Sequence, residues 1–164
     1  MGIFLGLESY RLERIAIWRD PESYEKGFQT IQGLYAIGSG GLFGTGLGGS
    51  IQKLGFVPEA QNDMIFSIIC EELGLVGAGI LLLLFLMLIW RFFLVSVHAP
   101  DLFGSLIAAG VMGHISIQVI LNVAVVTNTI PNTGITLPFV SYGGTSILFL
   151  LAEMGLVLGI SRKC

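Results

Sequence analysis

Between Ile51 and Glu72 a polar loop carrying Lys53, Glu59 and Asp63 runs straight into a strongly apolar stretch whose only charges near its start are Glu71 and Glu72. A carboxylate at such a boundary, close in sequence to an amine and a second carboxylate, suits proton transfer, which needs an acceptor partly removed from water and neighbouring charges that tune it. Asp63 is therefore the leading candidate for a general base. The alternative is that Asp63 merely caps the helix that follows, with Glu71 and Glu72 as charges at a membrane interface. A helix continuous from Met64 to about Val95 would be roughly 48 Å long at about 1.5 Å per residue. That exceeds a hydrocarbon core of roughly 30 Å, so its first turns must stand among headgroups or line a protein cavity.

Other short patterns carry less. Gly44-Thr45-Gly46-Leu47-Gly48-Gly49 satisfies G-x-G-x-x-G, but no strand precedes it, no amphipathic helix follows it, and the dinucleotide reading is rejected. Glycines between Ile37 and Ser50 either let a loop fold flat against helices or approach a ligand closely. The two cysteines, Cys70 in an apolar run and Cys164 at the end, suit neither a disulfide nor a metal site. His98 and His114 lack partner spacing, which favours plain surface or packing roles.

The elements that must position Asp63 follow from composition. Of the 164 residues 54% are hydrophobic and 12% charged, with a mean hydropathy of +0.85, which indicates an integral membrane protein. The net charge of −3 comes without a basic cluster, so nucleic acid is not an expected partner. Residues 1–8 read as the end of a helix, too short for a span or a signal peptide. Residues 9–63 form a long loop holding most of the charges. An uncharged run of 18 residues, Leu73 to Trp90, anchors a span over 64–97, ended by Arg91 and further apolar residues. A second span covers 102–126, with Gln118 and Asn122 as interhelical hydrogen bonders and Gly104, Gly110 and Gly113 as close-contact positions. Residues 127–144 bring Asn128, Pro131, Asn132, Gly134 and Pro138, which break helix. A third span, 145–161, ends at Ser161-Arg162-Lys163. Glu153 lies within it, and a protonated carboxyl bonded to a neighbouring helix suffices to explain it. The expected fold is all-α and polytopic: three full transmembrane helices, the stump of a fourth and a long loop. Charge counting leaves the orientation open, because Arg11, Arg14, Arg19, Lys26 and Lys53 oppose Arg91, Arg162 and Lys163 across the membrane.

Five separated motifs carry a resemblance. Arg14 with Trp18-Arg19-Asp20-Pro21, Gly27-Phe28-Gln29 with Gln32, Ala36 to Leu42, Gln52 to Ala60, and Pro138-Phe139-Val140-Ser141-Tyr142-Gly143-Gly144 closely resemble the SEDS family of RodA, FtsW and SpoVE types. The resemblance covers essentially the whole chain and corresponds to the C-terminal part of the family fold. It implies a glycosyltransferase that polymerises lipid II into peptidoglycan strands beside a class B penicillin-binding protein and other division proteins. It also implies the bacterial cytoplasmic membrane, at the division septum. Loops 9–63 and 127–144 are then extracytoplasmic, with Arg91 and the C-terminus inside. Asp63 matches the family's essential aspartate, although Gln61-Asn62-Asp63-Met64 stands where His-Thr-Asp-Phe is commoner. Asn132 to Thr136 and Glu153-Met154-Gly155 resemble the division and sporulation branch more than the elongation branch.

On that resemblance, Asp63 removes a proton from the attacking sugar hydroxyl, and the substrate-binding candidates are Lys53, Arg14, Glu59, Gln52, Ser141 and Tyr142. Lys53 and Arg14 would stabilise the leaving diphosphate, with a divalent cation (Mg or Mn) on Asp63 and Glu59 as a further expected contributor. Ordinary loop salt bridges and loop packing are the competing roles. The chain alone, without earlier helices to enclose two lipid substrates, is expected to be inactive. Two other classes stay open: a lipid-precursor flippase, which a midplane charge cluster would favour, and a non-catalytic membrane scaffold. Small residues Ala78, Gly79, Gly104, Ala108 and Gly113 suit either a partner's helix or packing inside the bundle.

Overall fold

The computed structural model describes residues 14–24, 27–50 and 62–164, and every regular element within them is helical. Residues 14–19 form a short helix, and a 3-10 turn at Pro21–Ser23 follows, with proline's fixed φ at its first position. The main helices are α1 (Phe28–Ser39), α2 (Ile65–His98), α3 (Leu102–Val126) and α4 (Gly144–Ser161). The last three are long and apolar enough to cross a membrane, so the all-α architecture and the three expected spans are present. The expected helix end at 1–8, and Gln52, Lys53 and Glu59, lie outside the described residues.

Helix boundaries follow local chemistry. Ala99 is extended (φ −61°, ψ 135°) because the residue before Pro100 is pushed out of the α region, and this stops α2. Asp101 then caps α3, its carboxylate accepting from the Gly104 N–H at 2.9 Å. At the far end α3 gives way to Asn128 in the left-handed region (φ 56°). α2 packs most extensively on α3 and next on α1, while α4 lies mainly against α3. Phe85 and Phe92 of α2, Val111, Ile115 and Val119 of α3, and Leu150 and Val157 of α4 form the shared core.

The expected continuous helix is broken at Gly74, whose φ of 67° and ψ of −171° belong to a region essentially reserved for glycine. An uninterrupted helix would bond the Leu75 N–H to the Glu71 carbonyl and the Val76 N–H to the Glu72 carbonyl. Here the glycine-rich segment after α1 supplies a partner for each of these four groups. Thr45 N–H donates to the Glu71 carbonyl at 2.9 Å and Gly46 N–H to the Glu72 carbonyl at 3.0 Å; Leu75 N–H and Val76 N–H donate to the carbonyls of Gly41 and Leu42 at 2.9 and 3.1 Å. Unsatisfied backbone groups at membrane depth cost several kcal/mol each, so this substitution is what permits the break. The fit tolerates no side chains: a Cβ on Gly40 would lie 1.9 Å from the Cys70 carbonyl oxygen, and one on Gly44 2.1 Å from the Glu72 carbonyl oxygen. Loop packing, not a nucleotide, accounts for the glycine motif. Glu71 is not an exposed charge either. It is buried (3% exposed) and accepts a hydrogen bond from the Ser50 hydroxyl of the same segment.

Small residues on the spans divide between two uses. Ala78 and Ala108 are buried in the bundle, and a Cβ on Gly104 would meet Ile160 at 3.3 Å, so these positions serve helix packing within the chain. Gly79 and Gly113 have open space where a Cβ would stand.

Gly44→Ala should lower stability by at least about 2 kcal/mol through backbone collision and positive-φ strain, whereas Gly79→Ala should be neutral or slightly stabilising. Thermal unfolding of both variants in detergent checks this; equal midpoints for Gly44→Ala and the parent would refute the docking.

Candidate active site

Asp63 sits at the mouth of α2 in the turn Asn62–Met64, with only 6% of its surface exposed. The helix N-cap position is taken by Met64, which makes no side-chain cap hydrogen bond, and Asp63 stands one residue before it. Met64 is itself buried, and its carbonyl accepts from the Ser67 N–H at 3.1 Å and the Ser67 hydroxyl at 2.7 Å, closing the turn. Close approach of α1 holds this turn from one side: the position of a Cβ on Gly33 is 3.6 Å from Met64 Sδ.

Two amides from other helices reach Asp63. Gln29 Nε2 of α1 donates to its Oδ1 at 3.3 Å, and Asn122 Nδ2 of α3 donates to its backbone carbonyl at 2.9 Å. Asn122 Nδ2 also donates to the Ile135 carbonyl at 2.7 Å, tying the turn to the 127–144 loop. Asn122 therefore bonds from its helix to a turn and a loop rather than to another helix as expected, and its link to Asp63, like that of Gln29 to the carboxylate, was not foreseeable from spacing. The available signal for Asn122 was a carboxamide in an otherwise apolar span.

The 127–144 loop is fastened on its other flank by residues 14–19. Arg14 Nη1 donates to the Asn132 carbonyl at 2.6 Å and Trp18 Nε1 to the Asn128 carbonyl at 2.9 Å. Arg14 is thus engaged with a loop backbone. Ser141 is buried and its hydroxyl accepts from the Leu137 N–H at 2.7 Å, while the Ser141 N–H donates to the Leu137 carbonyl at 3.0 Å. That turn places Phe139 at φ 62°. Tyr142 is 77% exposed. Gln118 Nε2 approaches Thr136 Oγ1 at 3.4 Å, a second and looser link from α3 to the same loop.

His114 of α3, which lines a cavity with Gln118, Ile135 and Thr136, meets Glu153 of α4. His114 Nδ1 lies 3.0 Å from Glu153 Oε2, so Glu153 is bonded to a neighbouring helix, and His114 does have a partner despite its lack of sequence spacing. His98 bonds Leu94 O of its own helix at 2.8 Å. Among the described residues no group of three or more His, Cys, Asp and Glu side chains is gathered as a metal site; Glu59, the expected companion of Asp63 on a cation, lies outside them.

A buried aspartate at a helix mouth, reached by two carboxamides and bordered by two fastened loops, can be compared with known proteins. A family profile for FtsW, RodA and SpoVE, described as a cell cycle protein, matches residues 1–164. The chain belongs to this family. It is 51% identical to stage V sporulation protein E of Bacillus subtilis over 97% of its own length and 45% of that protein. It is 43% identical to a probable peptidoglycan glycosyltransferase FtsW of Thioalkalivibrio sulfidiphilus, over 94% of this chain and 40% of that one. Among solved structures, a chain from a peptidoglycan synthase complex that coordinates polymerization and crosslinking superposes with a TM-score of 0.75 at 35% identity, covering 98% of this chain and 44% of the other. An aspartate-to-alanine variant of Thermus thermophilus RodA gives 0.62 at 38% identity, covering 79% and 39%. The chain therefore spans less than half the length of these relatives.

Trp18→Phe removes one indole N–H donor and keeps the aromatic bulk, a net loss of about 1 kcal/mol. Hydrogen–deuterium exchange should quicken at residues 127–133 and stay unchanged in the middle of α3; unchanged exchange across the loop would show that the clasp carries no stability.

Proposed function

We propose that the complete polypeptide containing this chain is a lipid II polymerase of the bacterial cytoplasmic membrane, acting in division or sporulation, with Asp63 as its general base. The observation that carries the reading is the burial of Asp63 at the mouth of a membrane helix, with Gln29 on its carboxylate and Asn122 on its main chain. Family membership and the names of the relatives support the reaction class. Asp63 takes the proton of a sugar hydroxyl as that oxygen attacks the anomeric carbon of a second lipid-linked sugar. The new glycosidic C–O bond forms as the C–O bond to undecaprenyl diphosphate breaks, with inversion in one displacement. Arg14 and Lys53 supply positive charge for the departing diphosphate. Glu59, Gln52, Ser141 and Tyr142 remain the further substrate-contact candidates, with Ser141 acting through the shape of its turn.

This reading places Asp63 and the 127–144 loop on the extracytoplasmic face and Arg91, Arg162 and Lys163 on the cytoplasmic face. The structure supports the two loops sharing one end of the bundle, with Asp63 and Ile135 joined through Asn122 there and Gly104 against Ile160 at the other; family membership supplies which end faces outward. A class B penicillin-binding protein is the proposed partner. Support comes from the likeness to a chain of a peptidoglycan synthase complex and from an apolar groove of about 530 Å³ lined by Leu86, Met87, Ile89, Trp90, Phe93 and Met112. The α2 residues of that groove recur at helical spacing, the pattern that receives a membrane helix.

Asp63→Asn in the complete polypeptide should lower glycan polymerisation from lipid II at least about 100-fold with membrane insertion intact. Assay in detergent, where no two sides exist, separates this from flippase activity; near-parental strand synthesis by Asp63→Asn would sink the general-base role. Cysteines placed at Leu86 and Met87 should crosslink to the partner's anchor helix in native membranes. Crosslinks confined to the chain itself would remove this groove as the interface.

A further inference from the structure

We infer that Asn122 is a positioning residue for Asp63, acting through the main chain, an inference that rests on the general-base reading of Asp63. Asn122 is fully buried (0% exposed) on α3. Its amide nitrogen has two N–H groups, and both are spent: one on the Asp63 carbonyl at 2.9 Å, one on the Ile135 carbonyl at 2.7 Å. The two carbonyls decide the orientation of the amide, because the flipped group would set its own oxygen against two other oxygens. Its Oδ1 is buried with no hydrogen-bond partner among the described residues. The side chain is therefore held by its donors alone, and burying that acceptor is a cost the two donor bonds must offset.

The consequence is geometric. A general base has to lie within about 2.6–3.2 Å of the oxygen whose proton it takes, and an error near 1 Å in placement can cost roughly 100-fold in rate. Gln29 touches the carboxylate itself; Asn122 holds the main chain that carries it. By holding Ile135 through the same nitrogen, Asn122 also fixes the spacing between the turn of Asp63 and the 127–144 loop. A substrate resting on that loop would meet the base at a constant separation.

The test uses Asn122→Ala in the complete polypeptide, with lipid II as substrate and rates normalised to monodisperse folded protein. kcat should fall by about 10-fold to 100-fold while KM for lipid II stays within about threefold of the parent, since Arg14, Trp18 and the Ser141 turn still fasten the loop. Asn122→Ser, which keeps one hydroxyl donor, should fall between Asn122→Ala and the parent. A purely structural role would lower the yield of folded protein and leave kcat per folded molecule at the parental value, and that result overturns the inference. So does failure of both variants to give folded protein. Asp63→Asn run in parallel separates the two levels: if it is active, the general-base reading fails; if it is inactive while Asn122→Ala keeps parental kcat, only the role of Asn122 fails.

Discussion

The exchange of hydrogen bonds at Gly74 is the constraint on which the arrangement depends. A membrane helix can be interrupted only if each freed N–H and carbonyl finds another partner, and the segment from Gly41 to Gly46 provides four such partners in register with the break. This docking ties the residues after α1 to the third turn of α2. It also requires bare backbone on both sides, which is why glycine stands at 40, 44 and 74. The buried Glu71, bonded to Ser50, adds a side-chain link to the same junction. α1 is thereby held along the first turns of α2, where Gln29 can reach Asp63 and Gly33 can lie against Met64.

A second set of polar links organises the end of the bundle that carries the site. In lipid there is no hydrophobic drive for one apolar helix to find another, so specificity comes from small residues and hydrogen bonds. Asn122 joins α3 to the Asp63 turn and to the 127–144 loop, while Arg14 and Trp18 hold that loop from the other flank. All the donors in these links are side chains and all the acceptors are backbone carbonyls. Such contacts fix main-chain position, which suits a site whose reacting group is a single carboxylate. The opposite end adds the close contact of Gly104 with Ile160 to one link of the same kind, Ser96 of α2 donating to the Ser105 carbonyl of α3 at 3.0 Å.

Hydropathy and breaker residues were sufficient to read the three spans and the all-α class, because an apolar run longer than the hydrocarbon core has few alternatives to a helix. The position of Asp63 at a polar-to-apolar boundary was legible for the same reason, and the separated motifs were enough to name the family. Composition could not disclose the break in α2. Leu73, Gly74 and Leu75 look like any apolar helix with a small residue, and only a loop arriving from residues 41–46 makes a positive φ at Gly74 favourable. Nor could spacing assign Gln29 to Asp63 across 34 residues, or pair His114 with Glu153, since neither pair shares a local period. Ala78, Gly104 and Ala108 show the same limit: a small residue on a membrane helix signals close packing, but which helix packs there depends on where the chain places its neighbours. What the sequence by itself determined was thus the set of elements and the chemistry available to them, because both depend on residues near one another along the chain. Tertiary structure alone decided which backbone groups are exchanged at Gly74 and which amides hold Asp63, because those hydrogen bonds join segments whose separation in sequence carries no information about their separation in space.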